Sequence, residues 1–144
     1  MGQPRIVVIA LLFAAICATD NPAAAEGAVA LGVPASVVKR GVATGYSYDA
    51  STVEEAEQVA MEYCKEAPAP ADTQRLCKVV AHFHEQCVAI SLDPAPGTPG
   101  WGWAVADVKR NAESAALANC EKIAGDGRAA ACKVVNSDCD GSAK

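Results

Sequence analysis

Apolar residues recur at helical spacing in two segments of this chain. In the first segment they are Val53, Ala56, Val59, Ala60, Tyr63 and Cys64, and in the second they are Ala112, Ala115, Ala116, Ala118, Cys120 and Ile123. This spacing predicts helices over 52–66 and 108–124. Short β-branched and aromatic runs predict strands at 28–33, 41–48, 76–83, 87–92, 101–106 and 132–136.

The residues at the helix ends support these boundaries. Ser51 and Glu54 fit a capping box, with Ser51 as the N-cap and Glu54 reaching back to it. Pro68 prevents the first helix from continuing. Asp107 takes the place of Ser51 in the second helix, and Gly125 is a suitable residue to end it.

The same order of predicted elements occurs twice along the chain. Cys77-Lys78-Val79-Val80 recurs as Cys132-Lys133-Val134-Val135. Other matches pair Glu55-Ala56-Glu57 with Asn111-Ala112-Glu113 and Ala28-Val29-Ala30-Leu31 with Val88-Ala89-Ile90-Ser91. Within an offset of one or two residues, Gly45-Tyr46-Ser47-Tyr48 also matches Gly100-Trp101-Gly102-Trp103. The repeat predicts an α+β fold built from a duplicated strand-strand-helix-strand unit, with an antiparallel sheet and two helices on one face.

The N-terminus has the features of a secretory signal peptide. Residues 6–16 are an apolar run behind Arg5, and Ala23-Ala24-Ala25 supplies the small residues of a cleavage site. The run is shorter than the roughly 20 apolar residues of a membrane span. We therefore predict a signal peptide over 1–25, cleaved near Ala25, and a single domain over 26–144 made of two repeats, about 27–86 and 87–139.

Charge and composition narrow the classes of partner. The chain has a formal net charge of −5, with 51% hydrophobic and 20% charged residues. Nucleic acids and anionic membrane surfaces bind clustered Lys and Arg. We therefore expect a globular domain with no nucleic-acid partner and no membrane span in the mature chain.

Cysteine usage indicates an oxidising compartment. The chain has seven cysteines, and six remain after loss of Cys17 with the signal peptide. An even number in an exported chain is typical of a disulfide framework, for which several connectivities are open. If both units pair alike, the bonds are Cys64–Cys77, Cys120–Cys132 and Cys87–Cys139. A zinc site is less well supported, because the close Cys-x-x-Cys spacing is absent.

Several segments together resemble a known bacterial family. They are Glu55-Ala56-Glu57-Gln58-Val59-Ala60-Met61-Glu62-Tyr63-Cys64, Cys77-Lys78-Val79-Val80-Ala81-His82-Phe83 and Cys87-Val88-Ala89-Ile90. They are similar to the secreted, cysteine-rich domain of unknown function 4189, and the resemblance covers residues 27 to 139. It implies a small exported protein and offers no catalytic residues to transfer. The chain departs from the family's usual pattern by an insertion over 67–74.

The histidines are candidate metal ligands. His82 and His84 lie on one face of a predicted strand, and Glu85 follows them. Two imidazoles and a carboxylate are a metal-binding combination, but an exposed strand end accounts for the same residues. We therefore expect no metal, no cofactor and no catalytic residue.

Paired aromatic residues are candidate binding residues. Tyr46 and Tyr48 alternate along one strand, and Trp101 and Trp103 alternate along its repeat partner, so each pair shares a face. Large aromatic side chains here either fill the space above alanine-rich helices or form an exposed strip for sugars or a protein partner.

These features favour an exported, non-catalytic binding or interaction module of the cell envelope or extracellular space. Its partner is then an envelope protein or glycan. One alternative is a small envelope hydrolase or metal-dependent enzyme that uses His82 or His84. Another is an inhibitor or immunity-type protein that makes contact through loop residues 94–100.

Export is testable by mass spectrometry of the natural protein. We expect Glu26 at the N-terminus and a mass lower by the six hydrogens lost when six cysteines form disulfides. An intact Met1, or a lipid on Cys17, would contradict the predicted compartment.

Overall fold

The computed structural model describes residues 25–144, so the predicted signal peptide lies outside the described residues except for Ala25. In chain order the main elements are β1 (Glu26–Gly32), α1 (Val37–Arg40), β2 (Ala43–Ala50), α2 (Val53–Glu66), α3 (Ala71–Gln74), β3 (Lys78–His84), β4 (Cys87–Leu92), β5 (Trp101–Ala106), α4 (Lys109–Ala124) and β6 (Lys133–Cys139). A 3-10 turn, Ala129–Ala131, precedes β6. Within 25–144, no helix has the length and apolar character needed to cross a membrane.

The α+β class and the duplicated unit are confirmed. Strands β2-β1-β3 form one antiparallel sheet and β5-β4-β6 form another, so the strand order is the same in both units. The sequence predicts a single sheet with two helices on one face, whereas the structure has two sheets with one helix each. The reason is that β1 and β4 are both central strands, which already pair on both sides with strands of their own unit.

Three apolar clusters separate four layers. The first packs α2 onto the outer face of the first sheet with small residues such as Ala28, Ala30, Ala56 and Ala60. The second lies between the sheets and contains Val29, Leu31, Phe83 and Val88, with Tyr46, Ala81, Trp101, Trp103 and Val105 packed around it. The third packs α4 onto the second sheet with Cys87, Ala89, Ala112 and Ala116. The order is therefore helix, sheet, sheet, helix, with the large side chains in the middle.

One glycine in each unit allows the helix to lie close to its sheet. A Cβ on Gly45 would overlap the backbone of α2 at Ala60 and Cys64, and a Cβ on Gly102 would overlap the backbone of α4 at Ala116 and Cys120. A side chain at either position would force the helix away from the sheet. Large aromatic residues therefore do not fill the space between helix and sheet.

The strand register corrects the match between the two units. Ala30 pairs with Gly45, and Ser91 pairs with Gly102. Ala30 and Ser91 are therefore equivalent, and so are Ala28 and Ala89, whereas the sequence match places Ala28 opposite Val88. A shift of one residue exchanges the two faces of a strand. Correspondingly, Ala89 faces a helix and Val88 lies between the sheets.

Three disulfides join Cys64 to Cys77, Cys120 to Cys132, and Cys87 to Cys139. The first two connect the last turns of α2 and α4 to the residue before the next strand, each with a Cα–Cα distance of 6.0 Å. The third joins paired positions of β4 and β6. In the first unit the equivalent pair is Glu26 and His84, and the Oε1 atom of Glu26 lies 3.5 Å from the Nδ1 atom of His84.

The helix starts differ slightly from the prediction. Thr52, not Ser51, is the N-cap of α2, and its Oγ1 accepts a hydrogen bond from the N–H of Glu55. The carboxylate of Glu55 accepts one from the N–H of Ser51, so the capping box begins one residue later than predicted. Val108 caps α4 without a side-chain bond, and Asp107 instead accepts from Gln86.

Asp140 joins the end of the second unit to the first. Its side chain is fully buried and accepts hydrogen bonds from the N–H groups of Asp49 at 2.7 Å and Glu85 at 3.1 Å. Asp49 and Glu85 are the two non-glycine residues with positive φ among those described. The N–H of Gly141 donates to Asp49 in return. Asp140 thereby stabilises two left-handed turns that few side chains favour.

The loop between β4 and β5 is held by an ion pair. Both carboxylate oxygens of Asp93 accept from the guanidinium of Arg128 at 2.7 Å, and the N–H of Ala95 also donates to Asp93. The Asp93 side chain has no exposed surface. The hydrogen bond from Arg128 lowers the pKa of Asp93 from its ordinary 3.8 to about 2.

Two buried serines should respond in opposite ways to removal of the hydroxyl. Ser91 Oγ has no hydrogen-bond partner within the described chain, and the equivalent residue in the first unit is Ala30. Ser47 Oγ donates to Ala56 and accepts from the N–H of Ala28. In urea unfolding, Ser91→Ala should be neutral or stabilising by up to about 1 kcal/mol, and Ser47→Ala should cost about 1–3 kcal/mol. Equal destabilisation by both changes would contradict this assignment.

The Asp93–Arg128 pair predicts a pH dependence of stability. Because the pKa of Asp93 is lowered on folding, its contribution is complete above the unfolded pKa of 3.8 and is lost as the pH falls towards about 2. The difference in thermal midpoint between wild type and Arg128→Gln should therefore shrink over that range. The exposed Arg110 provides the control: Arg110→Gln removes the same charge and should show no such change. A constant difference for Arg128→Gln would contradict the prediction.

Candidate functional site

A cleft of 530 Å³ opens along the edge strand β2, where the end of α2 and strand β6 meet it. Its lining residues come from both units and are Thr44, Gly45, Tyr46, Tyr48, Tyr63, Glu66, Ala67, Pro68, Asn136 and Asp138. We call it the tyrosine cleft, because it contains all three tyrosines of the chain. Its volume lies in the range of small-ligand sites.

The aromatic rings form a partly exposed surface in this cleft. The rings of Tyr46 and Tyr48 stack with centroids 6.3 Å apart. Tyr48 is 45% exposed and Tyr63 is 58% exposed. The helical pattern places Tyr63 with the buried positions of α2, but those positions are Ala56, Ala60 and Cys64 in the structure, and Tyr63 lies beside them at the cleft. Two of the three rings are therefore available to a ligand.

A hydrogen bond across the two sheets fixes the third ring. The Tyr46 hydroxyl donates to Asp138 of β6 at 2.6 Å. Burial raises the pKa of the Tyr46 phenol well above its ordinary value, and the bond to Asp138 raises it further. Tyr46 therefore stays protonated and holds the side chain of Asp138 in the cleft lining.

The cleft is acidic. Glu66 and Asp138 contribute carboxylates, Asn136 contributes an amide, and no lysine, arginine or histidine is among the described residues that line it. Glu66 is also the last residue of α2, where the helix dipole disfavours a negative charge. Its position is therefore not explained by helix stability.

The second unit has a counterpart cleft of 380 Å³ along β5 and α4, lined by Trp101, Gly102, Trp103, Asn119, Lys122 and Ile123. These residues are equivalent by register and by helix position to Thr44, Gly45, Tyr46, Tyr63, Glu66 and Ala67. The chemistry differs, because Lys122 replaces Glu66 and Asn119 replaces Tyr63. The counterpart cleft is therefore basic where the tyrosine cleft is acidic.

The two tryptophans also line an apolar groove between the sheets. This groove has a volume of 520 Å³, and its other lining residues are Leu31, Val33, Leu76, Lys78 and Val80. The two predicted aromatic pairs therefore line different surfaces. Tyr46 and Tyr48 line the tyrosine cleft, whereas Trp101 and Trp103 line the apolar groove and the counterpart cleft.

The candidate metal ligands do not converge. His82 Nε2 lies 2.6 Å from Glu57 of α2, and His84 Nδ1 donates to the carbonyl of Ala25. The Glu85 side chain accepts from Ser142 instead. Across residues 25–144, no group of three His, Cys, Asp or Glu side chains is placed to hold a metal ion.

The repeat gives His82 a structural explanation. Its equivalent in β6 is Ser137, which donates to Glu113 of α4 at 2.6 Å. Glu113 is in turn equivalent to Glu57. Both units therefore make the same contact from the third strand to the helix.

Among the residues that line the cleft, the sequence pattern does not identify Tyr63, Glu66, Asn136 or Asp138 as site residues. Tyr63 is hidden in the helical pattern of apolar positions. The available signal for Glu66 is the reversal of charge between Glu66 and Lys122 at matching places in the repeat. Asn136 and Asp138 offer no comparable signal, because they approach β2 only when the two sheets pack.

The structure thus defines a duplicated, disulfide-braced α+β domain with an aromatic, acidic cleft. A family model described as Domain of unknown function (DUF4189) matches residues 27–139, and the chain belongs to this family. No curated protein matches the chain. The NMR structure of Rv1813c from Mycobacterium tuberculosis is similar, with 17% identity, a TM-score of 0.46, and coverage of 96% of this chain and 100% of that one.

Proposed function

We propose that this protein is an exported, non-catalytic binding module of the cell envelope or extracellular space, and that its ligand binds in the tyrosine cleft. The observation that carries the proposal is the convergence of Tyr46, Tyr48, Tyr63 and Asp138 on one open cleft. Aromatic side chains bury a large area at little cost in side-chain freedom, so they dominate many binding sites.

Export is supported by the predicted signal peptide and by the three disulfides. Disulfides persist mainly in oxidising compartments. Together with the lack of a membrane-spanning helix in the described chain, they are compatible with a periplasmic or extracellular protein. The partner that we propose is a protein or glycan of the envelope.

An enzyme that uses His82 and His84 has less support. Each histidine has its own partner, Glu57 for His82 and Ala25 with Glu26 for His84. A metal-dependent reaction needs ligands that face a common point, with a position left open for substrate.

The proposal is tested by capture of partners from an envelope extract with the oxidised protein. Replacing both Tyr48 and Tyr63 by Ala should lower recovery of a specific partner by at least about tenfold, because exposed aromatic anchors carry much of the energy of an interface. Both side chains are exposed, so the thermal midpoint should change little.

Two control variants distinguish binding in the tyrosine cleft from binding in the apolar groove and from a metal-dependent enzyme. Leu76→Ala with Val80→Ala removes exposed apolar side chains from the other groove, and His82→Ala with His84→Ala removes the candidate metal ligands. Both should retain partner recovery. Loss of recovery only in the Leu76→Ala, Val80→Ala variant would place the binding site in the apolar groove between the sheets. Loss of function only in the second, or stoichiometric zinc or copper in the purified protein, would favour the metal-dependent enzyme.

A further inference from the structure

The charged side chains of the tyrosine cleft favour a ligand with a positive charge. Glu66 and Asp138 both line the cleft, and no basic side chain among the described residues offsets them there. The whole chain is also acidic, with a formal net charge of −5. A negative ligand would be repelled, whereas a positive group would be paired with a carboxylate.

The aromatic surface selects the shape of the ligand. Tyr48 and Tyr63 present exposed rings, and a flat ring surface suits the C–H face of a sugar ring. The hydroxyls of these tyrosines and the amide of Asn136 can donate to and accept from sugar hydroxyls. A ring face also attracts a cation that lies over it.

We propose that the tyrosine cleft binds a glycan that carries free amino groups, which are positively charged as ammonium. The tyrosine rings stack on the sugar, and the carboxylates of Glu66 and Asp138 pair with ammonium groups. This inference rests on the proposed function and names the ligand class of the same cleft.

The position of Glu66 supports a role in recognition. A carboxylate in the last turn of a helix is unfavourable, and a cation there is favourable. The equivalent residue of the second unit is Lys122 in the last turn of α4. In the first unit, Glu66 therefore carries the charge that is less favourable for helix stability, and this residue lines the cleft.

The repeat supplies the test variant. Glu66→Lys places the charge of Lys122 at the equivalent position of the tyrosine cleft, and it should leave the thermal midpoint unchanged or slightly higher. Glu62→Lys reverses the same charge at an exposed position of α2 that does not line the cleft, so it is the matched control.

The experiment measures binding of two matched sugars by isothermal titration calorimetry with the oxidised protein. One is the glucosamine trimer, and the other is the neutral N-acetylglucosamine trimer. The titrations are run at about pH 6, which lies above the ordinary pKa of a carboxyl group and below that of an α-amino group. The glucosamine trimer should bind the wild type and Glu62→Lys at least about tenfold more tightly than the acetylated trimer, as one added charge interaction allows. Glu66→Lys should abolish that preference.

The outcomes separate this inference from the proposed function. Equal affinities for the two trimers, or a preference that survives Glu66→Lys, would overturn the amino-glycan assignment. If the acetylated trimer binds equally well and Tyr48→Ala with Tyr63→Ala abolishes its binding, the cleft is a neutral-glycan site and the proposed function stands. If neither trimer binds, the inference is wrong, and partner capture from the envelope extract decides the proposed function by itself.

Discussion

The close contact between each helix and its second strand is the constraint on which the rest of the structure depends. At Gly45 and Gly102 the helix backbone occupies the space that a Cβ would need. At this separation only small residues fit between helix and sheet, which explains the alanines of both outer clusters. The larger side chains are consequently placed on the other face of each sheet, where the two units meet.

The tyrosine cleft forms where the two sheets pack against each other. Positions that are equivalent in the two units carry different side chains there. In β2 and β6 the contact is a hydrogen bond between Tyr46 and Asp138. The equivalent residues on the other side are Trp103 and Phe83, which belong to the apolar cluster between the sheets. A polar contact on one side and an apolar one on the other make the molecule asymmetric. The tyrosine cleft lies on the polar side.

Local patterns are sufficient to predict the two long helices α2 and α4, the six strands and the duplicated unit, but not the four-residue helices α1 and α3. The division into two sheets was not predictable in the same way, because strand alternation does not say which strands of different units pair. The one-residue error at Ala28 and Val88 has a related cause: both faces of β1 and β4 are apolar, so hydrophobicity does not fix the register. The role of Asp140 is not predictable from local patterns, because it depends on the left-handed turns at Asp49 and Glu85, which lie far away in sequence.

The two units act as an internal comparison that separates structural from functional residues. Glycine at Gly45 and Gly102, and glutamate at Glu57 and Glu113, make the same contact in both units and so belong to the shared framework. Glu66 differs in charge from its equivalent and has no structural benefit at a helix C-terminus. The proposed ligand, rather than the shared framework, therefore accounts for the acidic side chain at this position.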